Sequence, residues 1–488
     1  MTSIEASPRP ELPPDGLVAV VKEDCPTCRL VVPALRRMRE AGVPLTVVTQ
    51  DRPEFPEGVG PVDDRELAIS WRLGVEAVPT LYRFEHGVVR SRSVGWNRTE
   101  WRDASGIGDL GADLPEARPG CGSRTTEPGM EERLRLRFQP GALRSRRIEL
   151  GAAEDAVEAC YSRGWTDGLP VVPPTPERVL RMLGGTRRDK DEVVAIVPPD
   201  LVECTVEKVA INAVMAGCLP EYLPVVLAAV AAACTESFNI HGLLATTMSV
   251  GPMIVVNGPI RRRIGMNSGI NAMGQGNRAN AAIGRALQLV VRNVGGGRPG
   301  GVDRATLGQP GKYTFCFAEN EEDSPWEPLS VERGIAQGVS AVTLFGADGP
   351  HVVVDQLSRE PHSLARSMAG AIQGVMHPKL ALFFDVFLIV SPEHARVFAD
   401  AGWTKKQVRE AIVEYGKRPA GELQRGAGDC AEGLPAQFVE SAKVLPKLRS
   451  DGLFIVHAGG KAGLFSAIIG GWGAGSGGSM PITREVET

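Results

Sequence analysis

The residues with the plainest chemical meaning are Cys25 and Cys28, two thiols separated by two residues in the run Lys22-Glu23-Asp24-Cys25-Pro26-Thr27-Cys28. Cysteines at this spacing can cycle between dithiol and disulfide, one attacking a foreign disulfide and the other displacing the product. A strand-like run, residues 17–21, leads into them, and Val32, Leu35 and Met38 follow at helical spacing. The pattern predicts a helix with Cys25 at its mouth and Cys28 in its first turn. Backbone N–H groups and the positive dipole end favour thiolate there, drawing the pKa from about 8.5 towards roughly 7 or below. Cys25 is therefore read as the nucleophile and Cys28 as the resolving thiol. Pro26 suits the first turn because it has no N–H to leave unpaired. Glu23 and Asp24 oppose the dipole by disfavouring a neighbouring negative charge. Half a zinc site is the competing chemistry, but no second cysteine pair of this spacing exists and His86 is isolated. No metal and no other cofactor is expected. The reading requires the two sulfurs to face one another and to be reachable from water.

The elements that must position this pair follow in a recognisable order. After the helix come a strand at 44–49, a helical run at 64–73, Val78-Pro79-Thr80 opening a strand to Phe84, a strand at 88–94 and a helix from Asn97. This β-α-β-α-β-β-α order, with C-x-x-C after the first strand and Val-Pro-Thr opening the last hairpin, resembles the thioredoxin fold over about residues 16–110. The resemblance implies that Pro79 is a cis-proline facing the dithiol and acting with it, with the preceding backbone free to pair with a substrate strand. The chain departs from the family in carrying Asp24 where Trp is usual and Pro26-Thr27 where Gly-Pro is usual.

Residues 151–488 hold most of the mass and mix apolar helices, Gly-rich turns and strand-like runs such as 193–197 and 387–390, which reads as a second α/β region. Within it, Thr166-Asp167-Gly168 followed by a proline-stiffened segment can fix the Asp167 carboxylate at a cleft edge. Three Gly/Asn/Arg-rich stretches contain Asn271, Arg278 and Arg298, a composition suited to close backbone approach and to forked recognition of an anion. None is a P-loop, and 274–279 matches the dinucleotide spacing only with Ala in third place and no strand leading in. Glu319, at the end of a strand-like run 313–318, is a candidate acid or base, and His241 and His457 are candidate proton shuttles. The remaining cysteines are scattered without metal-ligand spacing.

Several phrases of this region, TDGLPVVPPT, AVMAGCLPEYLPVV, ANAAIGRALQLVVRNVGGGRPGGVDRAT and SPEHARVFADAGWTKKQVR, resemble the bacterial UGSC-like, thioredoxin-linked family over about residues 150–485. The resemblance brings no reaction with it. Cys121-Gly122-Ser123-Arg124 is similar to the namesake motif, with Cys in place of selenocysteine and Arg in place of the last Cys.

Composition bounds the partners. Lys and Arg number 54 against 58 Asp and Glu, a net charge of -4 that leaves no basic field for a phosphate backbone, so nucleic acid is not expected. The most apolar helical run, residues 223–234, is well short of the roughly 20 residues a bilayer needs, so no membrane partner is expected. Nine cysteines and a start rich in acid and proline point to a reduced cytoplasmic compartment without an export signal. At 488 residues and roughly 150 per domain, several domains are expected. They are a disordered lead at 1–15, a thioredoxin-like domain at 16–110, a Gly/Pro/Arg-rich linker at 111–150 and an α/β region at 151–488 with a possible break near 330–340. The functional expectation is a thiol-disulfide oxidoreductase module, fed by a cellular dithiol reductant and coupled to a domain that binds a small anionic or thiol-bearing substrate. The alternative is a redox-independent hydrolase or lyase using His241, Asp167 or Glu319, with the thioredoxin-like part as adaptor. The sequence sets no oligomeric state.

Overall fold

Leu17 to Val21 are almost wholly shielded from solvent, and this buried apolar run forms β1 (Gly16–Val21), the central strand of the first sheet. The computed structural model of the chain describes residues 12–440, 442–475 and 477–487, and the chain divides into two units, Met1–Arg144 and Ser145–Thr488. Both mix helices and strands, and the chain is of the α/β class.

In the first unit β1 is followed by α1 (Pro26–Leu30), α2 (Val32–Glu40), β2 (Leu45–Thr49), β3 (Val62–Asp63), α3 (Ala68–Arg72), β4 (Ala77–Val78), β5 (Thr80–Glu85), β6 (Val88–Val94), β7 (Trp96–Asn97), α4 (Arg98–Ser105), β8 (Ala117–Arg118), β9 (Cys121–Gly122) and α5 (Met130–Phe138). Five strands lie in the order β3-β2-β1-β5-β6, with β1 parallel to β2 and antiparallel to β5. The helix expected after the cysteines is two pieces. Pro33 has no N–H to return to the Arg29 carbonyl, and the helix breaks at Val31. Leu35 and Met38 on α2 are buried as the periodicity required, and Trp96 meets Trp101 edge-on at 5.1 Å.

Two expectations about the flanks need correction. Residues 1–11 of the expected disordered lead lie outside the described residues, whereas 12–15 are held against the sheet. Leu12 packs on the core, the Pro14 carbonyl accepts from the Gly87 amide at 2.7 Å, and Asp15 Oδ1 accepts from the His86 amide at 2.8 Å. The expected linker at 111–150 is largely part of the first unit, supplying β8, β9 and α5. Its strands are two residues long, so backbone bonds and not side-chain periodicity hold them. No sequence pattern of period 2 or 3.6 could have revealed them.

In the second unit β10 (Val193–Val197) and β11 (Val202–Thr205) form a hairpin. The main sheet is built from β12 (Gly251–Asn257), β13 (Cys316–Ala318), β14 (Ala341–Val354) and β15 (Phe384–Val390). After the short mutual pair β16 (Arg418–Pro419) and β17 (Val444–Leu445), it is completed by β18 (Leu453–His457), β19 (Phe465–Gly473) and β20 (Ile482–Glu485). Its order is β13-β12-β14-β19-β15-β18, with β20 on β14. The edges approach one another, because the Asn320 amide beyond β13 donates to the His457 carbonyl at the end of β18 at 2.8 Å. Phe317, Val255, Phe345, Phe387, Ile469 and Val456, from six of these strands, form one buried cluster. The break expected near 330–340 is therefore absent: β12 and β14, one on each side of it, pair over seven residues. Among the described residues no helix is long and apolar enough to cross a membrane, and the most apolar one, Leu223–Ala233, is buried.

Candidate functional site

Cys25 is the N-cap of α1, with Pro26 in the first helical position. Its sulfur accepts the Cys28 amide at 3.3 Å, and when protonated it donates to the Val78 carbonyl at 3.4 Å. The Cys25 pKa falls from an ordinary 9.0 to about 5. The hydrogen bond from the Cys28 thiol lowers it most; burial opposes, and the Cys121 thiol and the Cys28 and Thr27 amides add to the lowering. Cys28 moves the other way, raised by burial and by the hydrogen bond it gives to Cys25. Pushing two thiols apart in this manner divides the labour between attacking thiolate and proton-holding partner. The acidic flank is largely neutralised, since Glu23 pairs with Arg52 at 2.7 Å and Asp24 with Lys22 at 3.1 Å. The Val78–Pro79 peptide is cis.

The structure differs from expectation on access. Both sulfurs belong to residues that are 0 % exposed, so the pair does not meet water. The cover includes the chain's own segment 115–122. β8 pairs with β7, and β9 pairs antiparallel with β4, placing Cys121 opposite Val78 and Gly122 opposite Ala77. The backbone before Pro79, expected to be free for a substrate strand, is already bonded. Thr27 Oγ1 donates to the Pro119 carbonyl at 2.8 Å, drawing the segment over the mouth of α1. Cys121 itself is half-buried and packs against the core cluster that contains Cys25. Burial raises its pKa first of all, and the neighbouring Cys25 raises it further.

A buried polar network anchors the segment just beyond Cys121. Gln50 Nε2 donates to Ser70 Oγ and Ser123 Oγ, both at 2.8 Å, and Gln50 Oε1 accepts the Arg124 amide at 3.1 Å. Ser70 Oγ in turn donates to Asp64 at 2.6 Å. The Ser123 amide bonds the Glu76 carbonyl at 2.9 Å, and Thr125 Oγ1 donates to the Val75 carbonyl. Glycine makes the close approach possible, since a Cβ at Gly120 would lie 2.7 Å from the Val78 oxygen.

In the second unit Asp167 lies on a cleft of about 590 Å³ that Leu243, Gln288, Arg292, Lys312 and Tyr313 also line. Its carboxylate is gripped by Arg285 through bonds of 2.8 and 2.7 Å. Two donors of the lining, Arg292 Nε and Gln288 Nε2, are buried without a partner among the described residues. Burial and the neighbouring Arg298 charge both lower the Arg292 pKa, as expected where positive charge is in excess. Arg298 is thus near this cleft, while Asn271 and Arg278 are exposed, holding the Gln275 and Gly217 carbonyls at 2.8 and 2.9 Å. Arg292 opens the third of the Gly/Asn/Arg-rich stretches, whereas Gln288, one turn earlier on helix Arg278–Asn293, was not singled out from the sequence. Gln288 sits in an amphipathic pattern that reads as ordinary packing.

Glu319 and His457 belong to a different polar centre, at the ends of β12, β13 and β18. Glu319 Oε2 accepts Asn257 Nδ2 at 2.7 Å and the Leu329 amide at 2.8 Å. His457 Nδ1 lies 3.0 Å from the Asn320 carbonyl, which can only accept, so in the neutral ring this nitrogen carries the proton. Burial raises the Glu319 pKa and lowers that of His457, which favours the neutral form of each. Glu319 Oε1, His457 Nε2 and Asn257 Oδ1 have no partner among the described residues. His241 is exposed, and no hydrogen bond or ion pair among the described residues joins it to Asp167 or Glu319. Among the described residues no group of His, Cys, Asp and Glu is arranged to hold a metal. Cys204, Cys218 and Cys234 are pushed up to about 12 by burial, and burial also raises Cys160 and Cys316, so these behave as small apolar groups.

No protein-family model matches the chain, and no curated protein matches it.

Proposed function

We propose that the first unit is a thiol-disulfide exchange module of the thioredoxin-like kind, with Cys25 as nucleophile and Cys28 as resolving thiol. The observation that carries this reading is the Cys25 sulfur at the start of α1, accepting the Cys28 amide at 3.3 Å with Val78–Pro79 beside it. Reached past the covering segment 115–122, a thiolate held there attacks a disulfide sulfur, forming one S–S bond as another breaks. Cys28 then attacks the Cys25 sulfur, leaves the pair oxidised and sends the product off as thiol. The strand order β3-β2-β1-β5-β6 is compatible with the family resemblance. The test uses the full chain equilibrated over a series of reduced and oxidised glutathione ratios, followed by alkylation and peptide mapping. A Cys25–Cys28 disulfide that titrates with the ratio and vanishes in Cys25→Ser is expected. Both thiols staying reduced at every ratio would overturn the reading.

For the second unit the unpartnered donors favour a small anion-bearing ligand in the cleft, with Arg292 and Gln288 as its recognition groups and Arg298 adding positive charge. Succinate, malonate and inorganic phosphate are suitable probes by thermal shift, because a ligand that binds only the folded state raises its midpoint. A shift with at least one of them that is lost in Arg292→Met is expected. No shift with any of the three, or an equal shift in Arg292→Met, sinks the assignment.

A further inference from the structure

The exchange reading leaves a difficulty: its nucleophile is sealed by its own chain. The covering segment also supplies the remedy. β9 lies antiparallel to β4 on the edge beside Pro79, and it presents a cysteine, Cys121, directly opposite Val78, whose carbonyl also touches the Cys25 sulfur. Cys121 is the one thiol of the three that is partly open to solvent. It packs against the same buried cluster that holds Cys25. The geometry points to Cys121 as a relay thiol that exchanges with an external low-molecular-weight disulfide and passes the disulfide inward to Cys25, from which Cys28 takes it. A small disulfide is the partner the surface fits, because β9 already occupies the strand-pairing edge that an extended polypeptide would use.

The steps balance. The Cys121 thiol attacks an external disulfide RSSR, giving Cys121–S–S–R and one RSH, its own proton going to the departing thiolate. The Cys25 thiolate attacks the Cys121 sulfur, forming Cys25–S–S–Cys121 and expelling the second RS⁻, which takes a proton from water. Cys28 then attacks the Cys25 sulfur, and its proton passes to the departing Cys121. The sum is one external disulfide reduced to two thiols and the Cys25/Cys28 dithiol oxidised by two electrons, with Cys121 returned as thiol. Read backwards, the same steps reduce the pair. The lowered pKa of Cys25 keeps that sulfur as thiolate for the second step. The polar network through Gln50, Ser123 and Arg124 holds Cys121 in reach, so the inner exchange runs at the high effective concentration of a tethered group.

This inference rests on the exchange reading, and two full-length variants separate the two. Oxidised glutathione acting on Cys28→Ser is expected to leave a Cys25–Cys121 disulfide by peptide mapping, because the inner exchange then has no resolving step. In Cys121→Ser, a near-isosteric change at a backbone-paired position, oxidation of the Cys25/Cys28 pair by oxidised glutathione is expected to slow by about tenfold or more. A Cys25–glutathione adduct in Cys28→Ser with Cys121 still free to alkylate would overturn the relay and leave exchange standing. So would an unchanged oxidation rate in Cys121→Ser. Failure of the parent chain to oxidise Cys25 at all would remove both.

Discussion

Val78 and Cys121 are antiparallel backbone partners, and the Val78 carbonyl lies 3.4 Å from the Cys25 sulfur. A single residue thus lies between Cys25 and Cys121 at the mouth of α1. The arrangement ties chemistry to packing: what shields Cys25 from water is also what offers it a third sulfur. Opening the segment requires breaking the β4–β9 and β7–β8 pairs together with the Gln50 contacts, so the cover behaves as a cooperative piece and not a loose loop.

The depressed Cys25 pKa has a signature in both reactivity and stability. Thiolate absorbance of the reduced full chain should show a step near pH 5 that is missing in Cys25→Ser. The folded value, about 5, is below the ordinary 9.0, so the thiolate's contribution to stability is complete above about 9 and lost as pH falls through about 5. Denaturant midpoints of the reduced chain should therefore fall from pH 9 to pH 5 more steeply than those of Cys25→Ser. Parallel pH dependences would contradict the lowered pKa.

Gly120 is the place to lift the cover without touching a sulfur. A Cβ there would sit 2.7 Å from the Val78 oxygen, a backbone atom that cannot swing aside. Gly120→Val should push β9 off β4, with a stability loss of about 1–3 kcal/mol typical of overpacking. Alkylation of Cys25 by iodoacetamide should accelerate, and amide hydrogen exchange should rise at Val78 and Cys121. Unchanged alkylation would show that the segment is not what shields the pair.

The cysteine pair was legible because its signals are local: a buried run, a C-x-x-C and apolar positions at helical spacing. Cys121 was legible only through its Cys-Gly-Ser-Arg motif, and its place beside Val78 was not. That place depends on a two-residue ladder between distant parts of the chain, inside a stretch whose glycines and prolines read as a linker. In the second unit the sequence drew attention to Asp167, Arg298, Glu319 and His457, but not to how they group. Glu319 and His457 share a centre because Asn320 bridges the first and last strands of the sheet path, a long-range contact that no local pattern encodes. Arg292 was visible as the start of a Gly/Arg-rich stretch, while Gln288 was hidden by the amphipathic helix that carries both. Their meaning lies in lacking partners, which is a property of the fold.

Arg285 holds the Asp167 carboxylate with both side chains mostly buried, at 15 and 12 % exposure. Removing the guanidinium in Arg285→Met leaves a carboxylate with little water and no counter-charge, and a loss of about 3 kcal/mol is expected, less to the extent that residual solvent screens it. The Asp167 pKa is lowered in the folded chain, with burial opposed by Arg285. The pair's contribution is therefore present above the ordinary 3.8 and lost as pH falls through the lower folded value. Urea midpoints of parent and Arg285→Met should differ at neutral pH and converge in acid. A constant difference down to low pH would show that Arg285 acts by packing alone.

Glu319 should show the opposite sign. Burial raises its pKa, and the Lys405 charge and the bonds from Asn257 and Leu329 only partly offset it. A carboxyl whose folded pKa is raised stabilises the fold fully below its ordinary 4.5, and that contribution is lost as pH rises through the folded value. Glu319→Gln keeps an oxygen to accept from Asn257 and the Leu329 amide, and it places an amide nitrogen where Oε1 now has no partner. The variant cannot ionise, so it should be as stable as the parent in mild acid and more stable at alkaline pH. Glu319→Leu, which removes the acceptor, strands the buried Leu329 amide and leaves Asn257 Nδ2 with only its 2.9 Å bond to Glu321, and should lose about 1–3 kcal/mol for the stranded amide. Thermal midpoints of the three chains across the pH range decide the matter, and a Glu319→Gln curve that tracks the parent at every pH would show that folding does not raise the Glu319 pKa.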